Sequence, residues 1–463
     1  MPDSSTLDRP IANAGPSSFT PEQLADRMLY RRAVEAVIWG MPAVNFDLML
    51  QAFKDAGGGP NQVPYWSRLL DSQNQTLTPN PDTIYFNPFF DTKQAGPMVL
   101  EIPPAEGGSI TGSIDDCWQN ALEDVGPAGV DKGAGGKYLI LPPGYDEPVP
   151  EGYIAIAGDT WQGFAILRSN VTSGSDEDVA AAVAYGKRIR FYPLAQAANP
   201  PDTQFVDMAG VLFDSTIRYD ASFFRSLARM VGHEPWLTRD KAMIDPLKSL
   251  GIAKGRPFEP SAEVEKQLAE AAREAHAFLD LHYEEVFDPP FYPGGRWALP
   301  ANLEVAEGMP NLFSAPDAYP TDGRAVTYSM AYFSAKHIGV GQYYLMTIRD
   351  RDGNPLDGAA TYRLHVPPDA PIRLYWSATA YDRGTHALIR EVSRASRASN
   401  SPGLKANPDG SVDLWFAAEP PQGKKDNWIP TRADRGFEVL FRIYGPETAF
   451  FDKTWVLPDI EKV

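Results

Sequence analysis

Positions 78–86 read Thr-Pro-Asn-Pro-Asp-Thr-Ile-Tyr-Phe, a turn-forming segment that leads directly into a β-type run. This segment lies within a longer region, from Tyr65 to about Ile166, in which short apolar runs are separated by Pro and Gly. Examples of such runs are Met98–Ile102, Lys137–Leu141 and Tyr153–Ala157. Short strands separated by turn residues are typical of antiparallel sheets, so this region is predicted to form a β-sandwich.

A second set of β-type runs begins at Gly294 and continues towards the end of the chain. The predicted strands lie at 343–347, 362–366, 372–378, 412–416 and 437–444. Turn sequences at 352–355 and 407–410 separate some of these runs. We therefore expect a second β-module with about eight strands.

Helical spacing of apolar residues appears between and before these β-regions. Thr20 and Pro21 form a strong helix start, and the periodicity continues until Gly40 and Pro42, which predict a break. A shorter helix is expected from about Val44 to the glycines at 57–59. Further helices are predicted at 175–195, 221–231, 239–250 and 261–287.

The chain as a whole is predicted to be mainly β with a helical insertion. Its 463 residues exceed the size at which one core stops growing, so several domains are expected. Residues 1–18 are polar and proline-containing, which predicts a disordered tail. The remaining boundaries are N-terminal helices at 19–60, a β-sandwich module at 61–200, a helical region at 201–293 and the second β-module at 294–463.

The charge balance limits the classes of partner. A formal net charge of -18 argues against nucleic acid and against docking on an anionic membrane, because both need a basic surface. No apolar run is expected to reach the roughly 18 residues of a membrane span, and no secretory signal is evident. A soluble cytoplasmic protein is expected, and homo-oligomerisation stays open. Cys117 is the single cysteine, which removes disulfides and favours an inert buried thiol.

Two sets of motifs resemble a known bacterial family. The first is the segment at 78–86 together with Phe90, Asp91 and positions 96–100. The second contains, in order, positions 354–358, 362–364, 376–382, 409–412, 427–431, 442–447 and 451–455. Together they resemble the two-module family of domains of unknown function 1254 and 1214, over roughly 30–195 and 330–463.

This resemblance implies an immunoglobulin-like sandwich, a helical middle region and a C-terminal jelly-roll sandwich. It implies no particular reaction, because the chemistry of the family is not established. Relatives are often exported, which contrasts with the cytoplasmic location expected from this sequence.

The segment at 78–86 is the best candidate for a site. Asn80 and Asp82 flank a proline that fixes the backbone, and Tyr85 follows. A rigid presentation of this kind suits Asp82 as a general base, or Asn80, Asp82 and Tyr85 as hydrogen-bonding groups for a polar ligand. The alternative is a tight turn in which the two polar side chains bond only to local backbone amides.

A second acidic cluster contains Asp115, Asp116 and Trp118. If it lies beside Asp82, two carboxylates about 5 to 9 Å apart would suit glycoside hydrolysis. Trp118 would then offer an aromatic face to a sugar ring. The alternative is a turn with exposed acids and a tryptophan in the core.

The C-terminal module supplies a third candidate set, Trp376, Tyr381, Asp382 and Arg442. Arg442 alternates with apolar residues in a predicted strand and so points away from them. It is interpreted either as a ligand-facing group for a carboxylate or phosphate, or as half of a structural ion pair with Asp382 or Glu447 at the domain junction.

The sequence gives no reason to expect a cofactor or metal. Its six histidines lack the spacing of a metal motif, and no phosphate-binding or dinucleotide-binding glycine loop is present. The glycine-rich segment 126–136 precedes a strand rather than a helix and is predicted to be a hairpin loop. The leading hypothesis is a cofactor-free protein that binds a polar small molecule or saccharide in a cleft between the β-modules. A hydrolase or lyase using Asp82 with Asp115 or Asp116 is weakly favoured. The alternatives are non-catalytic ligand binding and a structural or oligomeric role.

Overall fold

The computed structural model describes residues 19–332, 335–337 and 341–463. The predicted tail at 1–18 lies outside these residues. The protein is rich in sheets and also contains helices, as predicted. Helical residues (29%) nevertheless outnumber strand residues (24%), so the helical part is larger than a mainly β chain implies. Within the described part of the chain no sheet closes into a barrel.

The described helices are α1 (Pro21–Asp55), α2 (Thr92–Ala95), α3 (Asp176–Gly186), α4 (Ser222–His233), α5 (Lys241–Leu247), α6 (Ala262–Glu285), α7 (Leu303–Gly308), α8 (Thr321–Met330) and α9 (Thr448–Phe451). Short 3-10 turns lie at Leu194–Gln196, Thr238–Asp240, Lys248–Leu250, Met309–Asn311 and Lys425–Asn427.

The described strands of the N-terminal half are β1 (Val63–Tyr65), β2 (Asn74–Gln75), β3 (Ile84–Phe86), β4 (Phe89–Asp91), β5 (Met98–Ile102), β6 (Ile110–Asp116), β7 (Ala121–Val125), β8 (Gly136–Leu141), β9 (Tyr153–Ala157), β10 (Gln162–Ser169), β11 (Arg190–Pro193), β12 (Phe205–Asp207) and β13 (Phe213–Asp214). Those of the C-terminal half are β14 (Gln342–Thr347), β15 (Tyr362–Val366), β16 (Trp376–Asp382), β17 (Ser396–Ala398), β18 (Val412–Ala417), β19 (Trp428–Pro430), β20 (Phe437–Tyr444) and β21 (Glu461–Lys462).

The N-terminal module contains two sheets that share one hydrophobic core. The larger sheet has the strand order β12-β1-β3-β10-β6-β7, with β4 also paired to β10, and the smaller has the order β11-β5-β8-β9. Ile84 and Leu167 of the larger sheet pack in the same core as Leu100 and Ile140 of the smaller one. Most pairings are antiparallel as predicted, but β1–β12 and β8–β9 are parallel.

The C-terminal module contains two four-stranded sheets, with the orders β14-β20-β16-β17 and β19-β18-β15-β21. Residues from both sheets, such as Leu345, Phe441 and Leu364, share a second core. The predicted strand at 437–444 agrees with β20, whereas the strand predicted at 372–378 begins only at Trp376.

Helix α1 lies at the centre of the helical core and corrects the predicted break. It continues through Gly40 and Pro42, because its residues from about Ala33 onwards are buried among α4, α5, α6 and α8. Tertiary packing therefore overrides the local preference for a break. Gly40 also permits a close approach of α4, since a Cβ there would lie 2.8 Å from Leu227 Cδ1.

Two further local predictions are corrected by the structure. The helix predicted at 175–195 ends at Gly186, and positions 190–193 form β11 because they pair with β5. The glycine-rich segment 126–136, whose composition predicts a hairpin loop, instead connects β7 and β8, which belong to different sheets.

Helix α1 also corrects the expectation that no segment has the length and hydropathy of a membrane span. It contains a sufficiently apolar 18-residue window, and 83% of that window is buried inside the protein. Such burial is also found in core helices of soluble proteins, so this one helix is weak evidence for a membrane span.

The close pairing of β6 with β10 generates a testable prediction. A Cβ at Gly112 would lie 1.9 Å from the carbonyl oxygen of Ile166, a contact with rigid backbone. We expect Gly112→Ala to lower the free energy of unfolding by about 1 to 3 kcal/mol, measured by urea denaturation. The control is Gly232→Ala at an exposed helical position with nothing within 4 Å, which should stabilise slightly. Equal stabilities for the two variants would contradict this close contact between the strands.

Candidate functional site

The two β-modules meet through sheet faces that point away from their own cores. In β10, Leu167 belongs to the N-terminal core, so the next residue, Arg168, points to the opposite face. In β20, Phe441 and Ile443 belong to the C-terminal core, so Arg442 between them also points outward. Both arginines line one small cavity between the modules.

Arg442 forms hydrogen bonds across the junction between the two modules. Its guanidinium is 2% exposed and donates hydrogen bonds to the Tyr381 hydroxyl at 2.6 Å and the Thr379 hydroxyl at 2.9 Å. It also donates to the backbone carbonyls of Thr78 at 3.1 Å and Pro79 at 3.4 Å. The 78–86 segment is therefore held to the C-terminal module by a buried charge bonded to neutral oxygens.

Asn80 shapes the turn in this segment. Its side-chain oxygen accepts a hydrogen bond from the Asp82 backbone N–H at 3.0 Å, the geometry of the predicted tight turn. Its own backbone N–H donates to the Tyr85 hydroxyl at 3.1 Å, and its side-chain amide donates to the Tyr444 hydroxyl. Asn80 thus joins both modules as well as closing the turn.

Asp82 belongs to the same turn. The residue is partly exposed, but its Oδ2 is buried and forms no hydrogen bond with the described residues, while Oδ1 accepts one from the Ser396 hydroxyl at 2.7 Å. Burial raises the pKa of the Asp82 carboxyl, against the opposing effects of the Ser396 hydrogen bond, the Arg442 charge and the nearby Ser377 hydroxyl. Asp82 does not itself line the cavities described below.

Arg168 differs from Arg442 because its guanidinium is scarcely bonded. Its Nε lies 3.4 Å from the Tyr85 hydroxyl, and its guanidinium carbon lies 5.4 Å from the centroid of that ring. Among the residues that the structure describes, it forms no ion pair. The side chain is half-buried, and a cation in such a place normally has a counter-ion.

Three cavities meet at Arg168. Their volumes are about 160, 50 and 40 Å³, and Tyr332 lines all three together with Arg168. The aromatic residues that line the largest are Tyr332, Tyr343, Tyr344, Tyr375 and Tyr444. Aromatic side chains combined with a few polar and charged groups are typical of small-molecule sites.

The far side of the largest cavity is polar. Asp124 Oδ2 accepts a hydrogen bond from the His337 backbone N–H at 2.8 Å and lies 3.1 Å from the Nδ1 of its ring. Asp124 Oδ1 accepts a hydrogen bond from the Ser113 hydroxyl at 2.6 Å. The cavity therefore has a carboxylate–histidine pair opposite its cationic end.

The structure does not bring Asp115 and Asp116 to Asp82. Asp115 pairs with Phe164 in β10, whereas Ile84, two residues after Asp82, pairs with Ser169 five residues further along that strand. At about 3.3 Å per residue, Phe164 and Ser169, the β10 residues opposite Asp115 and Ile84, lie roughly 16 Å apart. The predicted carboxylate pair at glycosidase spacing is therefore wrong. Asp116 instead caps a turn, accepting from the backbone N–H groups of residues 118 and 120 at 2.9 Å each.

Four predicted ligand residues also lie away from the cavities. Trp118 packs against Trp39 of α1 with ring centroids 4.8 Å apart, so it belongs to the core and offers no face to a sugar. Trp376 stacks on Phe441 inside the C-terminal core. The other two are Tyr381 and Asp382.

Tyr381 donates its hydroxyl to the Pro79 carbonyl at 2.6 Å and is fully buried in the junction. Asp382 forms an ion pair with Arg435 at 2.7 Å, so it is not the partner of Arg442. Among the described residues, Glu447 also forms no ion pair with Arg442. Of the predicted ligand-binding set, Asn80, Tyr85 and Arg442 do line a cavity.

Sequence reasoning missed Arg168, Tyr332 and Tyr344. One signal was present for Arg168, which is the single charged residue at the end of the apolar strand β10. A charge in an otherwise buried strand indicates a special environment. The importance of Tyr332 and Tyr344 depends on how the modules meet, which the local sequence pattern does not contain.

Metal binding has no geometric support in the described ranges. No group of three or more His, Cys, Asp or Glu side chains there is placed to hold a metal ion. The acidic surface cavity of about 320 Å³ near His282 and Glu285 does not form such a group.

Comparisons with known proteins identify the family. Residues 60–193 match the model "Protein of unknown function (DUF1254)", and residues 341–448 match "Protein of unknown function (DUF1214)". The chain therefore belongs to the proteins that carry these two modules in this order, as the motifs predicted. No curated protein matches it.

Solved structures show a related fold. The VPA0106 protein of Vibrio parahaemolyticus is 16% identical, with a TM-score of 0.58, and the match covers 94% of this chain and 100% of that one. An uncharacterised protein from Burkholderia cenocepacia is 10% identical, with a TM-score of 0.43, over 95% of this chain and 96% of that one. The first similarity shows a shared fold and no function.

A second buried acidic group lies near Asp116. Glu234 follows α4, is 4% exposed and accepts hydrogen bonds from the backbone N–H groups of Trp161 at 2.7 Å and Gln162 at 3.2 Å. Burial raises the pKa of Glu234 to about 8, and the charges of Asp91 and Asp116 add to this, while the two hydrogen bonds oppose it.

This raised pKa predicts how stability depends on pH. The folded protein holds a proton on Glu234 that the unfolded chain loses near the ordinary value of 4.5, so the free energy of unfolding falls as pH rises from 4.5 to about 8. We expect Glu234→Gln to remove about 2 to 4 kcal/mol of this fall, at roughly 1.4 kcal/mol per pH unit. Urea denaturation at pH 5 and pH 8 measures it. An unchanged pH dependence in the variant would show that Glu234 is ionised in the folded state.

Proposed function

We propose that the protein binds a small polar molecule with an anionic group, a carboxylate or a phosphate, in the cavity between its two β-modules. The observation that carries this proposal is Arg168, a half-buried guanidinium with no ion pair among the described residues, at the point where three cavities meet. Guanidinium geometry matches both kinds of anion. Acidic saccharides fall within this class.

The charge balance of the junction supports an anion. Arg168 and Arg442 line the same cavity of about 40 Å³, and both lie near Tyr85 and Tyr344. The Asp82 carboxyl interacts with the charge of Arg442, but among the described residues neither arginine forms an ion pair. A bound anion would supply the missing negative charge.

The two arginines contribute differently. Arg442 is committed to the carbonyls and hydroxyls of the junction, whereas the terminal nitrogens of Arg168 form no hydrogen bond with the described residues. The proposal therefore makes Arg168 the anchor of the ligand. Arg442 contributes its charge to the site and its hydrogen bonds to the fold.

A hydrolase or lyase activity is the second candidate. The buried Oδ2 of Asp82 has a raised pKa and no hydrogen bond with the described residues, so this carboxyl can hold and release a proton. Against this, Asp82 lines none of the three cavities at Arg168, and Asp115 and Asp116 are too distant to assist it. Catalysis therefore requires a rearrangement of the 78–86 turn that brings Asp82 to the cavity. If it does not, the motif has the structural role considered above.

The finer fold assignment is part of the proposal. A shared core between two sheets supports an immunoglobulin-like sandwich in the N-terminal module. Eight strands in two four-stranded sheets support a jelly roll in the C-terminal module. The net charge of -18 supports a small-molecule partner over a nucleic acid or an anionic membrane.

The test is ligand capture from a metabolite extract by the wild-type protein and by Arg168→Gln. The proteins are equilibrated with the extract, separated from free metabolites and analysed by mass spectrometry. We expect the wild type to retain an anionic compound that Arg168→Gln loses at least tenfold, since hydrogen bonds to charged groups contribute about 1.5 to 3 kcal/mol. Arg256→Gln, at an exposed arginine remote from the cavities, is the matched control.

The same extract tests catalysis with Asp82→Asn. A compound consumed by the wild type and spared by Asp82→Asn would establish an enzyme. Retention of an unchanged anion by both would establish binding without turnover. Equal retention of every anion by the wild type, Arg168→Gln and Arg256→Gln would contradict the proposed site.

A further inference from the structure

We infer that the anionic ligand is an aromatic carboxylate with a single ring. This inference rests on the proposed function, because it uses the same cavity and the same anchor, and it adds the chemical class of the ligand. The ring would occupy the cavity of about 160 Å³, the largest of the three at Arg168, and its carboxylate would lie on Arg168. Three features support the assignment: the composition of the wall, the volume of the cavity and the placement of its polar groups.

Five tyrosines are among the residues that line the cavity of about 160 Å³, the largest of the three cavities at Arg168. Tyr375 and Tyr444 stack on each other with centroids 4.3 Å apart and an interplanar angle of 24°. Tyr344 lies beside them in the lining. Planar rings next to a cavity favour a planar guest, because aromatic pairs contribute more than the area they bury. A flexible polyol would leave these faces poorly hydrated and unmatched.

The cavity volume fits one ring. It is about 160 Å³. An apolar cavity of about 150 Å³ holds benzene, so a cavity of this volume accommodates a six-membered ring. The adjoining cavities of about 50 and 40 Å³ are large enough only for small substituents. Arg168 borders all three, which places its guanidinium where a carboxylate would leave the ring.

The polar groups sit at opposite sides of the ring space. Arg168 pairs with Thr111 in β6, and Ser113, two residues further along, pairs with Asp124 of β7. At about 4.8 Å between strands and 3.3 Å per residue, the Cα atoms of Arg168 and Asp124 lie roughly 12 Å apart. This span accommodates two side chains and a ring between them. A ligand with one charge and a largely apolar body therefore fits better than a dianion, which would place a second negative charge near Asp124.

The test is titration calorimetry of the full-length protein with benzoate, cyclohexanecarboxylate, acetate and inorganic phosphate. We expect benzoate to bind at least tenfold more tightly than acetate, because only benzoate fills the aromatic cavity. Benzoate should also bind at least about threefold more tightly than cyclohexanecarboxylate. Arg168→Gln should weaken benzoate binding at least tenfold, and Arg256→Gln should leave it unchanged.

A second variant guards against an effect of Arg168 on folding. Ala128 lines the largest cavity and is partly exposed, so Ala128→Phe would fill the cavity without removing a core contact. We expect this variant to lose benzoate binding and to keep binding of acetate, which needs only Arg168. Retained benzoate affinity in Ala128→Phe would overturn the placement of the ring.

The outcomes separate this inference from the proposed function. Arg168-dependent binding of acetate or phosphate, with benzoate no tighter, would overturn the aromatic assignment and leave the anion site intact. Binding of cyclohexanecarboxylate equal to that of benzoate would also overturn it. Failure of all four anions to bind in an Arg168-dependent way would contradict both.

Discussion

The architecture depends on one buried charge that joins two modules. Arg442 projects from the C-terminal sheet and donates hydrogen bonds to the carbonyls of Thr78 and Pro79 in the N-terminal module. A buried guanidinium must have its donors satisfied, so this contact fixes where the 78–86 turn lies. Tyr381 strengthens the same contact by donating to Pro79. With the turn held in this place, the two sheet faces leave cavities at Arg168 between them.

The site follows from this incomplete closure. Each module places apolar residues in its own core at every second strand position, and this leaves Arg168 and Tyr85 on one facing surface and Tyr344 and Tyr444 on the other. Where polar groups of the two surfaces meet directly, as between Asn80 and Tyr444, they satisfy each other. Where they do not meet, the Arg168 guanidinium lies beside a cavity. The proposed ligand binding and the docking of the modules thus use the same pair of surfaces.

Much of the secondary structure and the order of the two modules was predictable, because local periodicity indicates the first and sequence motifs indicate the second. Strand β5 at Met98–Ile102 and the start of α6 after Ser261 agree with the sequence. The continuity of α1 through Pro42 was not predictable, since it results from burial by distant helices. The candidate site was predictable only in part, for the same reason. Motif residues such as Asn80 were found, but strand pairing decides that Asp115 is remote from it, and module docking decides that Arg168 has no ion pair among the described residues.

The most direct test of this account is the free energy of unfolding of Arg168→Gln and Arg442→Gln, measured side by side by urea denaturation without ligand. A cation that serves the fold and a cation kept for a ligand should respond differently. We predict a loss of about 2 to 4 kcal/mol for Arg442→Gln, because it leaves buried acceptors unpaired, and a change below about 1 kcal/mol for Arg168→Gln. Equal and large losses for both variants would contradict the account, since Arg168 would then be a structural residue like Arg442.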